Sequence, residues 1–220
     1  MDGQVTVPFE SGSPILVAGP TNSGKTQWIY QLLSTPNVFT QPIASILYCY
    51  GVYQPLYNDM KERLPISFKE GLPSLEDIES IHDGKFHVIV LDDLMEKIVR
   101  SQDMQELFSK YCHHMNISAI FVSQNIFQPG PYTRTISLNC HVIVLFANKR
   151  DESQIHIIAR QFYPLHWKQF LKVYRLATQD PYSYLLIDCT PSHPRLIQLR
   201  SHIFPPQVTH VYDICSSSSS

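Results

Sequence analysis

The sequence predicts a single α/β domain built on a mostly parallel sheet. Three observations carry that expectation. Short apolar runs alternate along the chain with segments whose apolar residues recur at helical spacing. Two of the runs, Val88-Ile89-Val90-Leu91 and Val142-Ile143-Val144-Leu145, are apolar without interruption, as strands buried on both faces must be. The chain has 220 residues, 44% of them hydrophobic and 16% charged, so it can bury one sizeable core.

The elements follow in order. Residues 1–12, with Gly3, Pro8 and Gly12, read as a flexible lead-in. Pro14 to Ala18 is the first strand, stopped at Gly19. Lys25 to Leu33 sets Trp28, Ile29, Leu32 and Leu33 on one helical face. Ile46 to Tyr50 is the second strand, ended by Gly51. Phe86 to Leu91 is the third, opened by the Asp83-Gly84 turn and closed by Asp92-Asp93. Met104, Leu107, Phe108 and Tyr111 share a helical face. Ile117 to Val122 and His141 to Phe146 are the fourth and fifth strands.

Asp151 is placed to cap a helix that turns Ile155, Ile158, Ala159 and Phe162 inward, and Pro164 ends it. Trp167, Phe170, Leu171 and Tyr174 mark one more helix. Tyr184 to Ile187 is a late strand, and Leu196 to Leu199 is a further candidate. The domain is expected to span residues 13–205, its last part an elaboration of the main sheet. Residues 206–220 form a tail ending in five serines, Ser216 to Ser220.

Composition narrows the function. Seventeen basic against nineteen acidic residues, a net charge of −2, exclude a strongly basic coat, so any nucleic acid must be gripped locally. No apolar run approaches the roughly 18 residues of a membrane span, and Met1 to Glu10 carries no secretory signal pattern. Five cysteines, none in a Cys-x-x-Cys pair, argue against a disulfide framework or a zinc ribbon and for free thiols in a reducing compartment. Cys112, His113 and His114 are adjacent, so they point in different directions and make poor co-ligands.

One motif is complete. Gly19-Pro20-Thr21-Asn22-Ser23-Gly24-Lys25-Thr26 fits G-x-x-x-x-G-K-[ST], after an apolar strand and before an amphipathic helix. The glycines permit a tight loop whose N–H groups face phosphates at a helix N-terminus. Lys25 would reach the β- and γ-phosphates, and the Thr26 hydroxyl would ligate Mg²⁺. The expected ligands are therefore ATP and Mg²⁺.

Two further segments fit that chemistry. At the end of the third strand, Asp92 is the metal-side carboxylate and Asp93 the group that polarises the attacking water. Helix capping by either aspartate would leave the same trace in sequence. Ser123-Gln124-Asn125 ends the fourth strand, and Gln124 is expected to sense the γ-phosphate or the water. If Gln124 is to face the nucleotide, its strand lies between the phosphate-loop strand and the Asp92 strand. The expected sheet order is then 5-1-4-3-2, with the site at the carboxyl ends of the strands.

Together these residues resemble the FtsK–HerA superfamily of P-loop ATPases. More narrowly, the chain resembles the DNA-packaging ATPases of large double-stranded DNA viruses and of Polinton/Maverick or adintovirus-like elements. The matching stretches include ILVAGPTNSGKT, LYCYGVYQPLY, VIVLDDLMEKIV, HHMNISAIFVSQNIF and RTISLNCHVIVLFANKRDESQIHIIARQFYP, and they run from about Pro14 to Pro205. The resemblance implies a homo-oligomeric ring that hydrolyses ATP and drives double-stranded DNA into a preformed capsid. It implies an intracellular location, in host cytoplasm or nucleus or in association with the virion.

It implies Lys25, Thr26, Asp92, Asp93 and Gln124 as site residues, with Asp-Asp where cellular members often carry Asp-Glu. It also implies an arginine finger from the neighbouring subunit; Arg134 is the first choice, with Arg150 and Arg160 as alternatives. Lys97, Arg100 and Lys110 are candidates to face DNA, and a solvated helix face explains them equally well.

Two other readings stay open. A nucleotide or small-molecule kinase shares the loop and the size, but its phosphate-clamping lid is arginine-rich, whereas the arginines here are scattered from Arg63 to Arg200. A nucleotide-binding assembly protein with little turnover would carry the same motifs.

Overall fold

A computed structural model describes residues 7–127 and 129–214. The strands are β1 Ile15–Ala18, β2 Ile43–Tyr50, β3 Ile66–Glu70, β4 Phe86–Asp92, β5 Ile117–Ser123, β6 Val142–Phe146, β7 Tyr184–Asp188, β8 Leu199–Ser201 and β9 His210–Val211. They form one sheet in the order β3-β2-β4-β5-β1-β6-β7-β8-β9. The strands from β3 through β6 are parallel, and β7, β8 and β9 are antiparallel.

The nine-stranded order differs from the expected 5-1-4-3-2 because strands are added at both edges. The five expected strands keep their neighbours: β6 beside β1, β1 beside β5, β5 beside β4, and β4 beside β2. Outside them, β3 (ISFKE) is a polar, half-exposed edge strand, which leaves no apolar run to read. Strand β7 runs backwards because two helices rather than one connect it to β6. These are α8 Ser153–Phe162 and α9 Trp167–Ala177. The strand expected at Leu196 to Leu199 is shifted: Arg195–Ile197 is a 3₁₀ turn, and β8 starts at Leu199.

Period-2 alternation sends successive strand residues to the two faces of the sheet. On one face Ile15, Val17, Val88, Val90, Val142 and Val144 pack against Trp28, Ile29, Leu32 and Leu33 of helix α1 Lys25–Ser34, and against Tyr57 and Met60 of helix α2 Leu56–Arg63. On the other, Leu16, Ile89, Leu91, Phe121, Ile143 and Leu145 meet the remaining helices. These include the short α3 Leu75–Ser80 and α4 Met95–Ile98, and α5 Gln102–Glu106, a π-turn Leu107–Tyr111 and α6 Cys112–His114, which run on from one another. They also include α7 Thr133–Asn139, α8 and α9. Two covered faces explain why β4, β5 and β6 are buried throughout.

Both ends of the described chain are packed more than composition suggested. Phe9, expected in the lead-in, is buried; its N–H donates to Val38 O (2.8 Å) and its carbonyl accepts from Thr40 N–H (2.9 Å). Residues 206–214, expected in the tail, supply β9 and bury Ile214. The serine run Ser216 to Ser220 and the first six residues lie outside the described residues. Among the described residues no helix is long and apolar enough to cross a membrane.

Candidate functional site

The phosphate loop leaves β1 at Ala18 and enters α1 at Lys25. Gly19 N–H donates to Ser123 O (3.1 Å), tying the start of the loop to the end of β5. A Cβ on Gly19 would stand 2.6 Å from Phe146 Cβ, so only glycine passes there. Gly24 has φ +98°, in the left-handed region. Helix α1 has no side-chain cap and no acidic residue in its first turn, so its N-terminal N–H groups have no intramolecular acceptor from that source. Ser23 Oγ is buried without a hydrogen-bond partner. These free donors fit a loop built around phosphate oxygens.

Lys25 Nζ donates to Gly19 O and Pro20 O, both at 2.7 Å, so its ammonium curls over the loop it follows. Burial lowers its pKa from the ordinary lysine value, and the charges of Asp92 and Asp93 oppose that shift. Lysine and both carboxylates therefore share one electrostatic neighbourhood. Thr21, Asn22, Ser23, Gly24, Lys25 and Thr26 all line a cleft of about 1220 Å³ at the carboxyl ends of β4 and β5.

Asp92 closes β4 and is 4% exposed. Its Oδ2 accepts from Tyr48 Oη at 2.7 Å and Tyr57 Oη at 3.1 Å. Both phenols use the same oxygen, Oδ2. Burial raises the Asp92 carboxyl above the usual range, while the two phenols and Lys25 pull it back down. Burial raises both phenols as well. Tyr57 is held in turn by Phe68 of β3, stacked at 5.0 Å with 24° between the rings.

Asp93 is exposed to the cleft and has φ +56°, a conformation that non-glycine residues seldom adopt. Gly51 makes room for it. Its N–H donates to Asp92 O (2.9 Å), and a Cβ there would stand 2.4 Å from Asp93 O.

Gln124 follows β5 and is also exposed to the cleft. The turn after it is pinned by Gln154 of α8, whose Oε1 accepts from Ile126 N–H (2.7 Å) and Phe127 N–H (3.3 Å).

The chain thus brings Lys25, Thr26, Asp92, Asp93 and Gln124 to one cleft. Gly19 and Pro20 meet it through the Lys25 contacts. Arg134 is not among its lining; it is exposed on α7. Arg150 is likewise exposed, and Arg160 lies over the Trp167 ring at 5.1 Å. Of the basic residues weighed for DNA, Lys97 lines the cleft, whereas Arg100 and Lys110 are exposed outside it. Sequence reasoning missed Tyr48, Tyr57, Gly51 and Gln154. Tyr48 is legible only as part of a strand and Tyr57 carries no sequence signal; the buried acceptor shows both to be donors.

No protein-family model matches the chain, and no curated protein matches it. Solved structures do. The crystal structure of B204, the DNA-packaging ATPase of Sulfolobus turreted icosahedral virus, aligns with a TM-score of 0.56 at 12% identity, over 92% of this chain and 97% of that one. The B204 genome-packaging NTPase of Sulfolobus turreted icosahedral virus 2, in complex with ATP-gammaS, gives 0.54 at 12% identity over 92% and 98%. Its complex with AMP gives 0.52 at 12% identity over 80% and 92%. At that identity the likeness shows a shared fold.

Proposed function

We propose that this chain is an ATP-hydrolysing motor of the FtsK–HerA kind, which translocates double-stranded DNA and packages a viral or virus-like genome into a capsid. The observation that carries the reading is the convergence of Lys25, Thr26, Asp92, Asp93 and Gln124 on one cleft beside the phosphate loop. The fold shared with a viral DNA-packaging ATPase supports it.

Each residue has a role that its chemistry allows. Lys25 offers a cation to the β- and γ-phosphates, and the uncapped start of α1 offers N–H donors. Thr26 Oγ1 and the Asp92 carboxylate would hold Mg²⁺, which would offset the charge of the phosphates. Asp93 carries a carboxylate on the cleft side of the same strand end, suited to accept a proton from an attacking water. Gln124 donates and accepts hydrogen bonds, so it can orient that water and report the γ-phosphate.

Arg134, outside its own cleft and exposed, acts in this reading as the finger for the cleft of a neighbouring subunit in a homo-oligomeric ring. Double-stranded DNA occupies the ring, capsid proteins anchor it, and the work is done in host cytoplasm or nucleus or at the virion.

The test is ATP hydrolysis by the purified chain, with and without double-stranded DNA, beside Lys25→Ala. Turnover that DNA raises and Lys25→Ala abolishes is the expected result. ATP binding without turnover in either condition would overturn the motor and favour an assembly role. Phosphate transfer to a small acceptor in place of water would favour a kinase.

A further inference from the structure

A second cavity, of about 560 Å³, adjoins the phosphate cleft. The two share Gly24, Gln27 and Tyr182. The second is walled by the aromatic rings of Trp28, Tyr184 and Phe204, with Asp180, Gln31 and His202 among its polar rim. A molecule with phosphates in the loop can therefore extend into it without leaving the protein surface.

Tyr182 stands at the junction in an unusual conformation. Asp180-Pro181-Tyr182-Ser183 is a turn, closed by Ser183 N–H to Asp180 O at 3.2 Å. Proline at its second position and positive φ (+63°) at its third are the marks of a type II turn, whose third position takes glycine or asparagine. A bulky side chain is strained there. The ring reaches back over the loop: a Cβ on Gly24 would lie 3.1 Å from Tyr182 Cδ1. Yet the residue stays 71% exposed, so packing in the core does not account for it. The chain tolerates strain to hold an aromatic face free, beside the phosphate loop, at the mouth of an aromatic-walled cavity.

We propose that Tyr182 is the stacking platform for the base of the bound nucleotide, and that the second cavity is the base subsite. This rests on the phosphate loop holding the nucleotide's phosphates. A planar base would lie on the exposed ring, the sugar would cross Gly24 and Gln27, and the polar rim would meet the base edge. The strained turn aims the ring; a glycine or asparagine in its place would relax the backbone and lose the platform.

The experiment compares binding of ATP and of inorganic tripolyphosphate to the full chain, as wild type, Tyr182→Asn, Tyr182→Phe and Lys25→Ala. Tyr182→Asn suits the turn, so it should unfold at the same temperature or higher. It should weaken ATP binding roughly 5- to 100-fold, as loss of base–aromatic stacking does, and leave tripolyphosphate binding unchanged. Tyr182→Phe should keep ATP affinity, and Lys25→Ala should weaken both ligands. Unchanged ATP affinity in Tyr182→Asn would overturn the base subsite while leaving nucleotide binding intact. Equal weakening of both ligands would also overturn it, by showing that Tyr182 only shapes the loop at Gly24. Wild-type protein that binds neither ligand would remove the nucleotide reading, and this inference with it.

Discussion

Tyr48 donates its phenolic hydrogen to Asp92 Oδ2 across 2.7 Å, from a ring that solvent does not reach. Tyr57 of helix α2 donates to the same oxygen, 3.1 Å away. A buried carboxylate needs such donors, and these two hold one of its oxygens in place.

Tyr48→Phe should therefore do two separable things. It leaves part of a buried carboxylate unpaired, costing about 1–3 kcal/mol of stability in urea unfolding. It also loosens the carboxylate, so the Mg²⁺ concentration for half-maximal turnover should rise about 10-fold or more. The sign of the pH effect is fixed as well. The phenols favour the ionised carboxylate against burial, so without one of them the carboxyl climbs further. The acid limb of the pH–rate profile should move to higher pH. Tyr57→Phe keeps the stack on Phe68 and should show the same changes in smaller measure.

Gly51→Ala tests the strained residue without touching it. The added methyl would meet Asp93 O at 2.4 Å, a backbone atom in the left-handed conformation that holds Asp93 in the cleft. The main chain must shift, at a cost of about 1–3 kcal/mol. Turnover should fall by about 10-fold or more while ATP binding, which depends on the loop, changes little. Unchanged turnover would detach the Asp93 geometry from the chemistry.

Asp188 and Arg200 form a buried ion pair between β7 and β8, with His193 Nδ1 also on Asp188 Oδ2 at 2.8 Å. Arg200→Leu should cost about 3–5 kcal/mol, because it removes the buried cation that balances the Asp188 carboxylate. Adding Asp188→Leu should recover a large part of that loss. A double-mutant cycle in urea reads the coupling directly.

The main sheet was legible because its strands are continuous apolar runs, and a short run such as Val88-Ile89-Val90-Leu91, bounded by turn residues, fits a strand buried on both faces. The loop and the two strand ends were legible because phosphate chemistry prescribes residue types at fixed spacing. The edges of the sheet were not. Strand β3 alternates only over Ile66-Ser67-Phe68-Lys69, and β9 is two exposed residues, so neither forms an apolar run long enough to read. The support of Asp92 was hidden by distance along the chain. Tyr48 sits in a strand and Tyr57 in a helix, and only the sheet order brings both hydroxyls to one carboxylate. The resemblance implies an arginine finger without singling out a residue, and the cleft of the same chain does not have Arg134 in its lining.

Asp77 gives a pH dependence of stability remote from the cleft. It accepts from Lys69 Nζ and from Ser74 N–H (2.6 Å), and Ser74 Oγ accepts from Asp77 N–H (3.2 Å), a reciprocal cap on α3. Lys69 first, then Ser74, holds its carboxyl down to about 2. A depressed folded pKa means stability present above the unfolded value of about 4 and lost as pH falls toward 2. Asp77→Asn should cost about 1 kcal/mol at neutral pH. That gap to the wild type should close across this acid window, followed by urea unfolding at a series of pH values.

Arg134 is separated from its own cleft, so its role can be tested between subunits. Arg134→Ala should keep ATP binding and lose turnover by about 1,000-fold or more, as removal of a finger does. Asp93→Asn should also bind ATP and fail to turn over. In a mixed ring some interfaces pair an intact Arg134 with an intact Asp93, each contributed by a different defective subunit. Mixing the two inactive variants should then restore a measurable fraction of wild-type turnover. Recovery requires that the arginine acts across the interface; a residue serving only its own subunit gives none. A mixture as inactive as its components would remove Arg134 from the role and turn attention to Arg150, exposed just beyond β6 on the same chain.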